Sequence, residues 1–368
     1  MSERFLDLIR RLSEASGVSG YEQHIIEIFK AELQAYVDEF EVDRLGNVIA
    51  TKKGTDEKGL KVMVEAHTDE PGLNVKYIQD DGFIRMDYVG FPLLQALPFE
   101  RVEILGKRGP VLGVVGAPGM HVYFMEMGGP KGPEKPPRLR DLFVDIGASS
   151  RKDVEDTGVY IGAPIAFHRK VERLAGNLIT GKALDARALC AVAIEGIRRL
   201  KTQRHEPTVY LVGGVQEEVG NRGARAAAFR LDADMAIILE VTIPGDYPGV
   251  EFRDFPLRVG GGACIGVKDM TWDFALGNLA HPKIVELLTR TAEEEKIPYQ
   301  LENISGTNTD AATIMITGRG IPCGKISVAT RYTHTGSEVL SLDDLEYATR
   351  LLIGSLTRID RRFNLNFL

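Results

Sequence analysis

Strand-like and helix-like stretches alternate along this chain of 368 residues, except between about residues 73 and 165, where the helical period disappears. Before the break, Phe5, Leu8, Ile9 and Leu12 recur at helical spacing. Ile25, Ile26, Ile28, Phe29 and Leu33 mark a second helix, and Ser19 with Glu22 three residues on reads as the capping box that starts it. Residues 39–42 and 47–52 flank Arg44-Leu45-Gly46 as a hairpin, and the apolar run 61–66 reads as a buried strand that stops at His67. Inside the break, short β-like runs surround the turns Asp80-Asp81-Gly82 and Lys107-Arg108-Gly109, and 128–137 is a Gly/Pro/Lys-rich loop expected to be exposed and mobile. After it the rhythm resumes, with helices at 186–200, 224–229, 282–296 and 342–359 and strands at 209–215, 235–239, 299–302 and 325–329. The expected fold is α/β: a mostly parallel sheet flanked by helices, interrupted by a small β domain, with units 1–72, 73–165 and 166–368.

Composition narrows the function classes. Lys+Arg number 45 against 52 Asp+Glu, a net charge of −7, which argues against nucleic acid or an anionic membrane as the main partner. With 44% apolar residues a core can form, so overall disorder is excluded. The longest uncharged run, 109–125, is broken by glycines and prolines and falls short of the roughly 20 residues of a spanning helix, and Met1-Ser2-Glu3-Arg4 opens straight into an amphipathic helix without an apolar signal region. The three cysteines, Cys190, Cys264 and Cys323, are odd in number and widely spaced. They fit reduced thiols of a cytoplasmic protein and give no cysteine-based metal knuckle.

In open α/β sheets, ligand sites lie beyond the carboxyl ends of strands, so what ends each strand matters. One gives His67-Thr68-Asp69-Glu70, the next Gln216-Glu217-Glu218, the next Glu240-Val241-Thr242, and the last leads into Arg331-Tyr332-Thr333-His334. Asp185 stands just before a helix. Taken singly, each has a plain structural explanation: a histidine exposed after a strand, a solvated Glu pair, an aspartate as helix N-cap. Glu240 has the weakest one, since a charge closing a buried strand needs a partner. Five such ends on one sheet edge make independent explanations poor. Two histidines and three carboxylates without cysteine suit Zn²⁺, Co²⁺ or Mn²⁺. If Asp185 bridges, the set splits into two shells of three, and two metals roughly 3.5–4 Å apart can share one water and polarise a carbonyl. Adjacent Glu217 and Glu218 cannot easily serve the same metal, so one is ligand and the other general base.

These motifs carry a resemblance. Residues 66–72 (AHTDEPG), Leu184-Asp185-Ala186-Arg187, Gln216-Glu217-Glu218-Val219-Gly220 and Arg331-Tyr332-Thr333-His334 resemble the tetrahedral (TET-type) metallo-aminopeptidases of the di-zinc exopeptidase clan, a family with glutamyl and deblocking members and some relatives labelled endoglucanase. Asp145-Ile146-Gly147-Ala148 and Thr309-Asp310-Ala311 also match, in consistent order from about residue 3 to 360. The resemblance implies two divalent ions per subunit, foremost Zn²⁺, with His67, Asp185 and Glu240 on one and Asp185, Glu218 and His334 on the other. It assigns Glu217 as base, Asp69 as the group orienting His67, short peptides as substrates, and the insert as a PDZ-like dimerisation domain. The apolar runs 91–97 and 111–115 of the insert point to a homo-oligomer, and the family adds dimers assembling into a hollow dodecamer.

Four positions depart from the family pattern: Glu240 replaces the usual Asp, Ala186 follows the bridging Asp at a peptide often cis in the clan, Thr335-Gly336 replaces Ser-Pro, and Asn308 replaces Gly. The rival readings are an amidohydrolase or deacylase on a non-peptide amide, a glycoside hydrolase, and an inactive assembly protein. A glycosidase needs two carboxylates and glycan-stacking aromatics, whereas aromatics are 7% here and Trp272 is the sole tryptophan.

Overall fold

The computed structural model describes residues 3–119, 121, 122, 125 and 137–367. The Gly/Pro/Lys-rich loop expected at 128–137 lies outside the described residues, save Pro137. The described residues form a nine-stranded sheet in the order Glu39–Val42, Val48–Lys52, Thr208–Gly214, Lys61–His67, Met235–Thr242, Cys323–Ala329, Ala263–Met270, Gly277–Leu279, with Tyr299–Ser305 paired to Ala263–Met270. Its central four strands, from Thr208–Gly214 to Cys323–Ala329, are mutually parallel. They are apolar almost throughout because both faces are covered. The helices Glu3–Glu14, Leu184–Leu200 and Leu342–Arg358 share one core with Val62, Val64, Ile237 and Val328. The helices Arg222–Leu231 and Ala311–Ile314 cover Met63, Val212 and Ile238 on the other face.

Three expectations are corrected. The sheet is mixed rather than mostly parallel: the Glu39–Lys52 hairpin and the pairing of Ala263–Met270 with Cys323–Ala329 are antiparallel. The strand Ala263–Met270 has no counterpart among the strands expected from the sequence. Its Gly266 and buried Asp269 hide it, because Gly266 makes room for Lys325, whose ammonium pairs with Asp269 and with Glu302 on the next strand. The expected capping box is absent: the helix Gln23–Leu33 starts with no side-chain cap, and Ser19 donates instead to Asp69 at 2.6 Å.

Between Gly72 and Phe167 six strands close into a barrel, in the order Gly72–Ile78, Ile84–Val89, Phe143–Asp145, Gly109–Gly116, Arg101–Gly106, Pro164–Phe167. Closure removes the open strand edges a small sheet would otherwise expose. Leu73, Val75, Ile84, Ile104, Val115, Val144 and Ile165 fill the interior. Leu112 and Val114 alternate with buried neighbours and face outward. The first and last strands pair, Leu73 opposite Ile165, so the chain enters and leaves the barrel side by side. Among the described residues no helix is long and apolar enough to cross a membrane.

Candidate metal centre and active site

The polar ends of the central strands meet. His67 closes its strand, Glu240 lies near the end of the neighbouring one, and Glu217 and Glu218 occupy the turn after Thr208–Gly214. His334 lies in the turn after Cys323–Ala329. Asp185 sits at a kinked helix start: Ala183 is left-handed, Asp185 and Ala186 are non-helical, and their peptide is cis. Asp185 is therefore not the N-cap that its position suggested. Its Oδ1 is 3.2 Å from His67 Nε2 and its Oδ2 is 3.7 Å from His334 Nε2. Glu240 Oε2 is 3.5 Å from His67 Nε2, and Glu218 Oε2 is 3.5 Å from His334 Nε2. Three groups could each hold an ion: His67, Asp185 and Glu240; Asp185, Glu218 and His334; and His67, Glu217 and Glu218. All the sequence-expected ligands thus converge, with one Asp185 oxygen turned to each imidazole.

The surrounding groups fix these side chains. Asp69 Oδ1 lies 3.4 Å from His67 Nδ1. Asp69 also accepts from Ser19 Oγ and from the backbone N–H groups of Glu217 and Glu218 at 3.0 and 3.2 Å. One carboxylate therefore orients an imidazole and pins the glutamate pair. Asn221 Nδ2 donates to Glu217 Oε1 at 2.8 Å and is followed by Asn308, whose amide donates to Asn221 Oδ1. The His334 ring donates or accepts through Nδ1 at Phe91 O, 2.8 Å away, and since a carbonyl only accepts, Nδ1 carries the proton. Arg331 makes a two-pronged pair with Asp246 that anchors the His334 turn. Ala183, Gln216, Asn221, Tyr332 and His334 all adopt left-handed backbone conformations, a cost that non-glycine residues bear mainly at functional sites.

Sequence reasoning missed Glu338. Its two oxygens accept from the backbone N–H of Asp185 and of His334, both at 3.0 Å, and burial pushes its carboxyl up to about 8. The available signal was its place four residues after His334 and directly before Val339-Leu340. Also missed was the buried pair Lys182 and Arg187 on Glu70, behind His67; Arg187 donates to the backbone oxygens of Leu12, Ala15, Gly17 and Thr68 as well. Glu65 and Asp310 are a further buried acidic pair below the site, with Glu65 Oε1 and both Asp310 oxygens lacking hydrogen-bond partners.

The electrostatics fit divalent cations. Among the described residues, the only basic side chains within 4 Å of the Asp185, Glu218 and Glu240 carboxylates are the imidazoles of His67 and His334. Glu218 Oε1 is buried without any hydrogen-bond partner. Burial, and then neighbouring carboxylates, push the Glu217 and Glu218 carboxyls well up. Burial would lower His67, but Glu240, Asp185 and Asp69 outweigh it and hold the imidazole well above its usual value. A buried anionic cluster of this kind needs positive charge, and imidazole plus carboxylate donors suit borderline divalent ions. The cluster lines a cavity of about 860 Å³ whose wall also includes Thr242, Leu276, Ile304, Glu302 and Lys325.

Known proteins share this architecture. The family model of the M42 glutamyl aminopeptidases matches residues 46–351. A putative aminopeptidase of Acetivibrio thermocellus is 38% identical over 361 residues, covering 96% of this chain and 99% of its own. A TET aminopeptidase from a marine sediment archaeon of the Thaumarchaeota superposes with a TM-score of 0.90 at 34% identity, over 98% of each chain. The TET1 peptidase of Pyrococcus horikoshii, which can assemble into a tetrahedron or a large octahedral shell, gives a TM-score of 0.83 at 25% identity, over 96% of this chain and 99% of its own. Site motifs, sheet, barrel and relatives agree over nearly the whole length, so the chain belongs to the M42 glutamyl aminopeptidase family and is an aminopeptidase, a hydrolase of peptide bonds.

Proposed function

We propose that this chain is a di-metal aminopeptidase that removes N-terminal residues from short peptides. The observation that carries the reading is Asp185, whose two oxygens face the two imidazoles. His67, Asp185 and Glu240 would hold one ion, and Asp185, Glu218 and His334 the other, Zn²⁺ foremost with Co²⁺ and Mn²⁺ as alternatives. Bound there, divalent ions supply Lewis acidity toward a peptide carbonyl and toward water. Asp69 keeps the His67 ring turned so that Nε2 faces the site. Glu217 is the general base: Asn221 engages its Oε1, leaving Oε2 to take the proton from water and return it to the leaving amine.

The decisive experiment compares Glu217→Gln with Glu218→Gln. Glu217→Gln keeps both ions and substrate affinity while kcat falls at least ~10²-fold, the lower end for general acid–base catalysis. Glu218→Gln loses metal. Metal analysis and kcat on both variants separate the roles, and metal loss in Glu217→Gln reverses the assignment.

The reading extends to the whole chain. Units 1–72 and 166–368 form the catalytic part and 73–165 a PDZ-like dimerisation module, with dimers building a dodecamer. The outward Leu112 and Val114 of the barrel and the shell-forming relative support assembly. Three buried, free cysteines support a cytoplasmic setting.

A further inference from the structure

Two of the groups that converge on the metal centre are touched by a segment of the barrel. Strand Ile84–Val89 of the barrel ends at Gly90, and Gly90, Phe91 and Leu93 then run along the wall of the cavity. The backbone oxygen of Phe91 accepts from His334 Nδ1 at 2.8 Å, and the Leu93 N–H donates to the His334 oxygen at 2.9 Å. The first contact fixes the tautomer. With the proton on Nδ1, the lone pair of Nε2 is free on the side of Asp185 and Glu218. The His334 ring is a third exposed, so no close packing holds it in this direction.

Gly90 approaches the other member of the set. Its φ is +76°, and a Cβ placed on it would stand 3.3 Å from both Cβ and O of Glu218 and 3.2 Å from Cβ of Pro71. The backbone at Gly90 is thus in left-handed geometry and packed on Glu218, with little room for a side chain. The remaining ligand set has a different support. His67 is faced by Asp69, Asp69 is held by Ser19 and the Glu217 and Glu218 N–H groups, and Glu240 belongs to a central strand. None of these groups comes from the barrel.

We propose that Gly90-Phe91 is a positioning element for His334 and Glu218, so that the ion position made by Asp185, Glu218 and His334 depends on the placement of the barrel while the position made by His67, Asp185 and Glu240 does not. This rests on the metal-centre reading above. The contribution of Phe91 is its carbonyl; its side chain is 80% exposed and is not part of the device.

The test is calorimetric titration of the full chain, stripped by chelation, with Zn²⁺. The wild type shows two binding events per chain. Gly90→Ala weakens one event by tenfold or more, the range for loss of an outer partner of a metal ligand, and leaves the other within about twofold. Phe91→Gly adds no atoms, keeps the test alive if Gly90→Ala fails to fold, and weakens the same event, because the carbonyl loses its fixed direction. Phe91→Ala leaves both events unchanged. Anomalous scattering from Zn²⁺-loaded crystals of the weakened variant shows lost occupancy at Asp185, Glu218 and His334. Equal weakening of both events, unchanged binding in Gly90→Ala and Phe91→Gly, or a Phe91→Ala effect as large as that of Phe91→Gly overturns the proposal. A wild type that binds no ion overturns the metal-centre reading, and this proposal with it; a wild type that binds two ions, with every variant binding both as tightly, overturns this proposal alone.

Discussion

Glu338 binds no substrate and holds no ion in the scheme above, yet it joins two parts of the centre, Asp185 and His334, that lie far apart in sequence. Its carboxylate accepts one N–H from Asp185 and one from His334. Glu338→Gln turns one acceptor into a donor aimed at an N–H. Metal affinity is expected to fall on the order of tenfold, and stability by about 1–3 kcal/mol for the stranded buried N–H. Unchanged calorimetric affinity would confine Glu338 to a purely structural role. Glu240→Gln tests the proposed ligand set from the other side: loss of a carboxylate from the His67 position is expected to cost on the order of tenfold or more in affinity, and unchanged stoichiometry and affinity by calorimetry would return Glu240 to an ion-pair partner of His67. The residues that converge were legible in the sequence because each lies near the end of a strand or the start of a helix. Glu338 and the Phe91 carbonyl were not. Glu338 reaches the Asp185 N–H and the Phe91 carbonyl reaches the His334 ring, each from more than a hundred positions away, and no local pattern marks such a contact.

At the scale of elements, the helix Leu184–Leu200 is tied to its surroundings through Arg187. That fully buried guanidinium joins the end of the helix Glu3–Glu14, the loop to Gly17, and the Thr68 carbonyl beside His67. Glu70 balances it together with Lys182. Arg187→Lys keeps the charge but loses the planar fork that serves several acceptors at once. Urea unfolding is expected to show a loss of about 2–4 kcal/mol, near that for breaking a buried ionic contact; a change within ±0.5 kcal/mol would show that the carbonyls find other donors. Periodicity located Glu3–Glu14 and Pro282–Glu294 because each has one apolar face. It failed on Ala263–Met270, where Lys325, Gly266 and Glu302 form a row across three strands. A buried ion pair inside a sheet looks like loop in a sequence, since its charges are satisfied only by strands far along the chain.

For the molecule as a whole, metal and assembly make the measurable predictions. Ions that bind only the folded chain stabilise it by mass action, about 2.7 kcal/mol for each site held at a hundred times its Kd. Chelation is therefore expected to lower Tm by several degrees and zinc to restore it; a Tm indifferent to both would argue against a resident ion. Light scattering at low micromolar concentration is expected to show an oligomer, and a fully active monomer would overturn the assembly reading. The loss of helical period after Gly72 was legible in the sequence. Closure of six strands into a barrel was not, because it depends on the meeting of Leu73 with Ile165. That meeting also bears on how the chain folds. Lys61–His67 must find Thr208–Gly214 across roughly 140 residues of chain; once the barrel has closed on itself, the free loop shrinks to roughly 50, and the entropic cost of bringing the two strands together falls by about 1 kcal/mol. A chain that forms its barrel early shortens the search for its own central sheet.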